Sequence, residues 1–310
     1  MYMKEALLCG LVWALLSSTG LRGENNNCAQ RTTLVAVATN GEPAEALNAS
    51  DFKVTVGKKA VTLDSATAGG PPRVVLLVDA SSNHDQPGWA ASQAMMDSFL
   101  GQFPDAGVYT LVVFDDKIQR VVNQTSRLGL QGALGEVFPS GKPPSQAGLD
   151  AAFRQASTTF GAYRTGDTEF LLTTSDDVYK ATELDLEKQR ESGFRLFGAS
   201  FDQTRRRGTL LFGSNTLVQD YTPLQAAARA SGGLWIQFDM TQKDQAGTLE
   251  MARADGKVAG ALARNYWVLK MQVPSASTKP EKVKIETTKN VKGKGQDRLV
   301  IYPQEMFPCQ

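Results

Sequence analysis

The sequence predicts an α/β fold: a mostly parallel central sheet with helices on both faces, plus a small β domain formed by N- and C-terminal strands. Two observations carry this expectation. From 73 to 264, short runs of branched apolar residues alternate with helix-length segments, the pattern of strands joined by crossover helices. Both ends instead read as strands separated by tight turns, so the termini resemble each other and differ from the middle. The expected organisation is a signal peptide over 1–23, an N-terminal β segment over 24–70, an α/β domain over 71–264, and a C-terminal β segment over 265–310 that packs with the N-terminal one.

Taken in order, the chain opens MYMKEALLCGLVWALLSSTG, where Lys4 precedes an apolar run and then small residues, the order of a secretory leader. The apolar run is about 11 residues, short of what a hydrocarbon core of about 30 Å demands, so no stable membrane span is expected after cleavage. The segment TTLVAVATNGEPAEALNASDFKVTVGKKAVTL then shows alternating apolar residues broken by NGEP and GKK. After the GGPP linker come the strand RVVLLVD, a helix over 86–101, the strand GVYTLVVFD, helices near 126–138 and over 145–160, and the strand TEFLLTT. A helix over 178–192, FRLFGASF, a helix over 222–231, GLWIQF and a helix over 245–263 complete the middle. NYWVLKMQV, EKVKIETT and RLVIYP are the closing strands.

Composition excludes several functions. The 310 residues carry a net charge of +1, with no long basic run, so nucleic acid is not an expected partner; TRRRG at 204–208 reads as a solvated loop. His84 is the only histidine, which removes most nucleophilic dyads and triads. No phosphate-binding glycine loop lies between a strand and a helix. Of three cysteines, leader cleavage removes Cys9 and leaves Cys28 and Cys309 at the two ends, an expected disulfide in an oxidising compartment. Trp89 and Phe99 on the first central helix are expected to pack inward.

The informative loop follows VVLLVD. Asp79 stands at the carboxyl end of a strand, where open parallel sheets gather ligands, and Ser81 and Asn83 follow at alternate positions. Three such oxygens on one tight loop suit a hard cation such as magnesium. Here the chain resembles the von Willebrand factor type A domain, whose metal-ion-dependent adhesion site begins Asp-x-Ser-x-Ser directly after a hydrophobic strand. NGEPAEALNASDFKVTVGKKAVTL and ALARNYWVLKMQV extend that resemblance to the acidobacterial VWFA-related family.

The resemblance implies a Rossmann-like α/β domain and two further ligand loops. At their positions this sequence carries Pro143 in SGKPPSQAGLDAAF and Thr174 in TTSDD, with Asp176 and Asp177 displaced beyond it. Ser145 or Ser140 replaces Pro143 only if that loop is re-registered. The expectation is therefore a degenerate adhesion site at Asp79, Ser81 and Asn83 that needs no cofactor, with magnesium as the alternative. The surrounding rim of His84, Ser145, Thr174 and Asp176 would bind an unidentified protein partner.

The expected protein is thus secreted or held in the periplasm or cell envelope, and is not an enzyme. The alternative is a secreted hydrolase acting through rim carboxylates, such as the Asp176 and Asp177 pair.

Overall fold

In a computed structural model of the chain, residues 30–39, 42–44, 46–71, 73–81, 86–173, 193–202, 222–239, 245–273, 279–288 and 298–306 are described. The strands are β1 (Gln30–Thr39), β2 (Glu42–Pro43), β3 (Phe52–Val56), β4 (Lys59–Ala68), β5 (Arg73–Asp79), β6 (Ala106–Phe114), β7 (Ile118–Ser126), β8 (Thr168–Thr173), β9 (Arg195–Asp202), β10 (Trp235–Asp239), β11 (Trp267–Gln272), β12 (Glu281–Thr287), β13 (Arg298–Ile301) and β14 (Glu305–Met306). The helices are α1 (Gln86–Leu100), α2 (Arg127–Gly135), α3 (Gln146–Phe160), α4 (Pro223–Ala230) and α5 (Gln245–Arg264). The leader, both terminal cysteines, the 178–192 segment and TRRRG lie outside the described residues.

These strands form two sheets, and their pairing corrects the expected fold class. The larger sheet has eight strands in the order β13-β1-β11-β4-β3-β12-β14, with β2 on β1, and every pairing in it is antiparallel. The six-stranded sheet, ordered β10-β9-β8-β5-β6-β7, is mixed: β7 runs antiparallel to β6. The structure is therefore not a mostly parallel central sheet with a small β appendage.

One cause is the turn at 115–117, far too short for the crossover of a dozen or more residues that a parallel pairing needs. A second is the length of the terminal strands. β1 and β4 each span ten residues, which makes the sheet built from the ends the larger of the two.

The helical layers differ from the expectation as well. Val74, Leu76 and Val78 of β5 share a core with Met95 and Phe99 of α1, Leu130 of α2, Leu262 of α5, and Leu34 and Ala36 of β1. Helix α5 touches β9 and β10 on one side and β1 and β2 on the other, so it lies between the two sheets instead of covering an outer face. Val75 and Leu77 face the opposite way, onto Leu149 and Phe153 of α3 and Leu224 of α4. The continuous run RVVLLVD is buried on both sides for that reason. Each such side chain contributes roughly 1.5–3 kcal/mol of hydrophobic stabilisation.

Local chemistry fixes the helix starts. Ser126 and Ser145 cap α2 and α3 by accepting hydrogen bonds from Gly129 N and Gly148 N. Thr222 caps α4 in a reciprocal box with Gln225, with Pro223 in the first turn. The end of α5 is held by Arg195, fully buried, which donates to the carbonyls of Leu262 and Ala263 and lies 4.4 Å above the Tyr266 ring. Trp89 and Phe99 are buried, as expected.

Among the described residues, no helix is long and apolar enough to cross a membrane.

Candidate functional site

The carboxyl ends of β5, β6 and β8 meet at one rim. Asp79 closes β5 and its side chain is fully buried. Its Oδ1 accepts from Ser81 N at 3.0 Å, and its Oδ2 accepts from Thr173 Oγ1 at 2.9 Å. A buried carboxylate needs such donors to compensate for lost water. The loop beyond is stitched to its neighbours: Ala80 N donates to Phe114 O at 2.7 Å, and Ser140 N donates to Ala80 O at 2.7 Å.

Two elements that sequence reasoning did not single out complete the rim. Asp115 follows β6 and is fully buried; its Oδ1 accepts from Lys117 N at 3.2 Å and Gln119 Nε2 at 2.6 Å. Burial opposes its ionised form, but hydrogen bonds with Asp116, Gln119, Ser140 and the Lys117 amide outweigh burial and hold the carboxyl well below the usual range. Lys142 places Nζ 2.7 Å from Asp116 Oδ1 and 3.9 Å from Asp115 Oδ2. The Asp116 contact, first, and the charge of both aspartates raise the Lys142 pKa. A signal for Asp115 existed in VVFDD, an acid ending an apolar strand just as Asp79 does.

Helix α3 is pressed onto this corner. A Cβ on Gly148 would lie 1.8 Å from Asp115 O, so only glycine lets the first turn of α3 sit against the end of β6. The Ser145 hydroxyl is the α3 cap. Pro143 is exposed and offers no side-chain oxygen. Phe138, in the same connecting segment, is 70% exposed.

Of the expected site residues, Asp79 and Ser81 are joined at the end of β5, and Ser145 heads α3, three residues before the Gly148 that abuts Asp115. Asn83, His84, Thr174 and Asp176 lie outside the described residues, as does Asp177. Among the described residues, no group of three or more His, Cys, Asp or Glu side chains converges. Of the three ligands expected on the first loop, the described ones are one buried carboxylate and one serine, a set with too little charge to hold a divalent cation tightly by itself.

No family model matches the sequence, and no curated protein matches it. Among solved structures, the chain is similar to a von Willebrand factor type A protein from Catenulispora acidiphila, at 11% identity and TM-score 0.44, over 83% of this chain and 74% of that one. The chain is also similar to an aerotolerance-related membrane protein from Bacteroides fragilis NCTC 9343, at 14% identity and TM-score 0.40, covering 58% of this chain and 98% of that one. A third similar structure is the conserved hypothetical protein BatB from Bacteroides thetaiotaomicron, at 13% identity and TM-score 0.42, covering 61% and 98%. Likeness of this degree carries no conclusion about activity or partners.

Proposed function

We propose that this chain is a secreted or envelope-held, non-enzymatic recognition protein of the acidobacterial VWFA-related kind, which grips a protein partner at the rim without a resident cation. The observation that carries this reading is the bonding of Asp79. Its oxygens each accept a hydrogen bond inside the fold, from Ser81 N–H and the Thr173 hydroxyl, and the side chain is fully buried, so it offers a cation only its remaining lone pairs and no exposed surface. Pro143 removes an oxygen from the second ligand loop. Lys142 supplies an ammonium where Asp115 and Asp116 would otherwise leave the rim negative. Phe138, in the chain segment that leads to Lys142, offers an exposed apolar anchor, and interfaces combine such anchors with polar groups. The 71–264 segment then serves as the recognition unit, carried on a β unit made by the two ends; the pairing of β1 with β11 and β13 supports that division.

Calorimetric titration with Mg²⁺ or Mn²⁺ tests the rim. Wild-type protein and Asp79→Asn should both give no binding heat, and a clear wild-type isotherm lost in the variant would sink the reading. A captured envelope partner should be retained equally in chelator and released by Phe138→Asp. For the expected secretory route, non-reducing mass spectrometry of the mature protein should find a Cys28–Cys309 cross-linked peptide; free thiols at both positions would refute the staple.

A further inference from the structure

Strand β7 leaves one edge of the six-stranded sheet open. It pairs with β6 on one side, in a regular register from Arg120 to Gln124 with shifts only at the two ends. On its other side no described strand lies against it, and among the described residues 118–125 make no backbone hydrogen bond to anything but β6. Its side chains are exposed or half-buried throughout. The opposite edge, β10, is treated differently. It lines one cavity with β13 of the larger sheet, and the bridge between Ser231 and Pro303 ties the two sheets just before it.

A row of unmade N–H and C=O groups is a template for another strand, and sheets ordinarily blunt it with short strands, lysine, proline or a cover. β7 has nine residues, with no lysine, no proline and a single charge. That charge, Arg120, is already answered by Glu136 at 2.9 Å. A strand of this kind fits a copy of itself. Antiparallel self-pairing within a continuous sheet sets residues of one face opposite each other, so the two-fold axis passes through a residue. An axis through Arg120 would oppose two guanidiniums. One through Val122 would centre on a side chain packed into its own core, and one through Asn123 on an amide that already accepts from Thr110. An axis through Val121 sets that valine against its copy and Arg120 against Val122, with no like charges opposed. Val121 is 37% exposed, so there is apolar surface for the contact to cover.

We propose that two copies of this chain pair antiparallel along β7, about a two-fold axis at Val121, and join their six-stranded sheets into one. Pairing consumes the open edge, so assembly stops at two. The partner's strands run the opposite way, so the rims at the carboxyl ends of β5 point in opposite directions and the dimer offers both of them. That bivalence rests on the recognition role proposed for the rim; the dimer itself does not. The contact is one strand wide, so it should come apart on dilution.

Sedimentation velocity of the full chain in reductant, across a wide concentration range, tests the pairing. Wild type should show a reversible monomer–dimer equilibrium and nothing larger. Val121→Lys sets two ammoniums against each other at the axis and should leave monomer only. Val108→Lys changes another exposed valine, on β6 and off the open edge, and should keep the dimer. Hydrogen exchange on wild type gives a readout that survives if Val121→Lys does not fold: amides within 118–126 should exchange more slowly in concentrated than in dilute protein. A wild type monomeric at every concentration, species larger than a dimer, a dimer that persists in folded Val121→Lys, equal loss in Val108→Lys, or β7 amides indifferent to concentration would each overturn the proposal.

Discussion

Raising the pH from about 5 to about 8 is expected to cost the folded state a few kcal/mol, with Glu169 as the largest contributor. Glu169 sits in β8 and is fully buried; Tyr163 donates to its Oε1 at 3.2 Å, and its Oε2 has no hydrogen-bond partner. Burial pushes its pKa up from 4.5 to about 8; the Tyr163 hydrogen bond works against this rise and the charge of Asp167 works with it. The folded protein therefore holds a proton that the unfolded chain releases above about pH 4.5. Stability is full below that value and falls as pH climbs, by up to about 1.4 kcal/mol per pH unit, until the folded group itself ionises.

Asp255 in α5 adds to the same slope over a lower window, because burial raises its carboxyl from 3.8 to about 7. Denaturant unfolding of Glu169→Gln across this range should give a flatter profile than wild type, most visibly between about pH 7 and pH 8 where Asp255 no longer contributes. Glutamine keeps an acceptor for Tyr163 and cannot ionise. The double variant with Asp255→Asn should be flatter still. Parallel profiles for wild type and Glu169→Gln would rule out a protonated Glu169 in the native state.

Neither carboxylate was legible as special in the sequence, and the reason is physical. Glu169 stands in TEFLLTT, where its neighbours show a strand but not which faces of that strand are covered. The strands themselves were readable where burial is two-sided: β5 carries a continuous apolar run, and β8 and β9 carry apolar residues at successive positions, because the core touches both of their faces. β7 shows the converse. IQRVVNQTS is an edge strand whose side chains are mostly exposed or half-exposed, so its apolar signal is thin, and without it the sheet reads as parallel.

The rim was legible in part for a similar reason. A strand ending in Asp announces a residue at the top of the sheet, which located Asp79 and would equally have located Asp115. What such a rule cannot give is partnership across the fold. Thr173 meets Asp79 from 94 residues away, and Lys142 reaches Asp116 across 26. Ser145 shows the opposite limit: a serine three residues ahead of Gly148 reads equally well as a ligand or a helix cap, and the structure uses it as the cap.

The helix between the two sheets gives the sharpest mechanical test, because the same substitution should have opposite signs at two glycines. Gly256 and Gly260 lie one turn apart on α5, where it crosses α1. A Cβ at Gly256 would lie 2.3 Å from Met95 O, and one at Gly260 would lie 2.3 Å from Phe99 O. Both obstacles are backbone of a helix whose own side chains fill the main core, so relief requires α1 and α5 to move apart. Separating them also disturbs β1, which packs on the far side of α5. Gly256→Ala is expected to destabilise by roughly 2 to 3 kcal/mol despite alanine's better helix propensity. Gly132 in α2 is exposed, and a Cβ there meets nothing within 4 Å. There propensity acts unopposed, and Gly132→Ala should stabilise by about 0.5–1 kcal/mol. Unfolding midpoints shifted down at Gly256 and up at Gly132 would show that close helix contact, and not glycine's flexibility, is what position 256 requires; two upward shifts would mean that α1 and α5 are packed less tightly than this geometry places them.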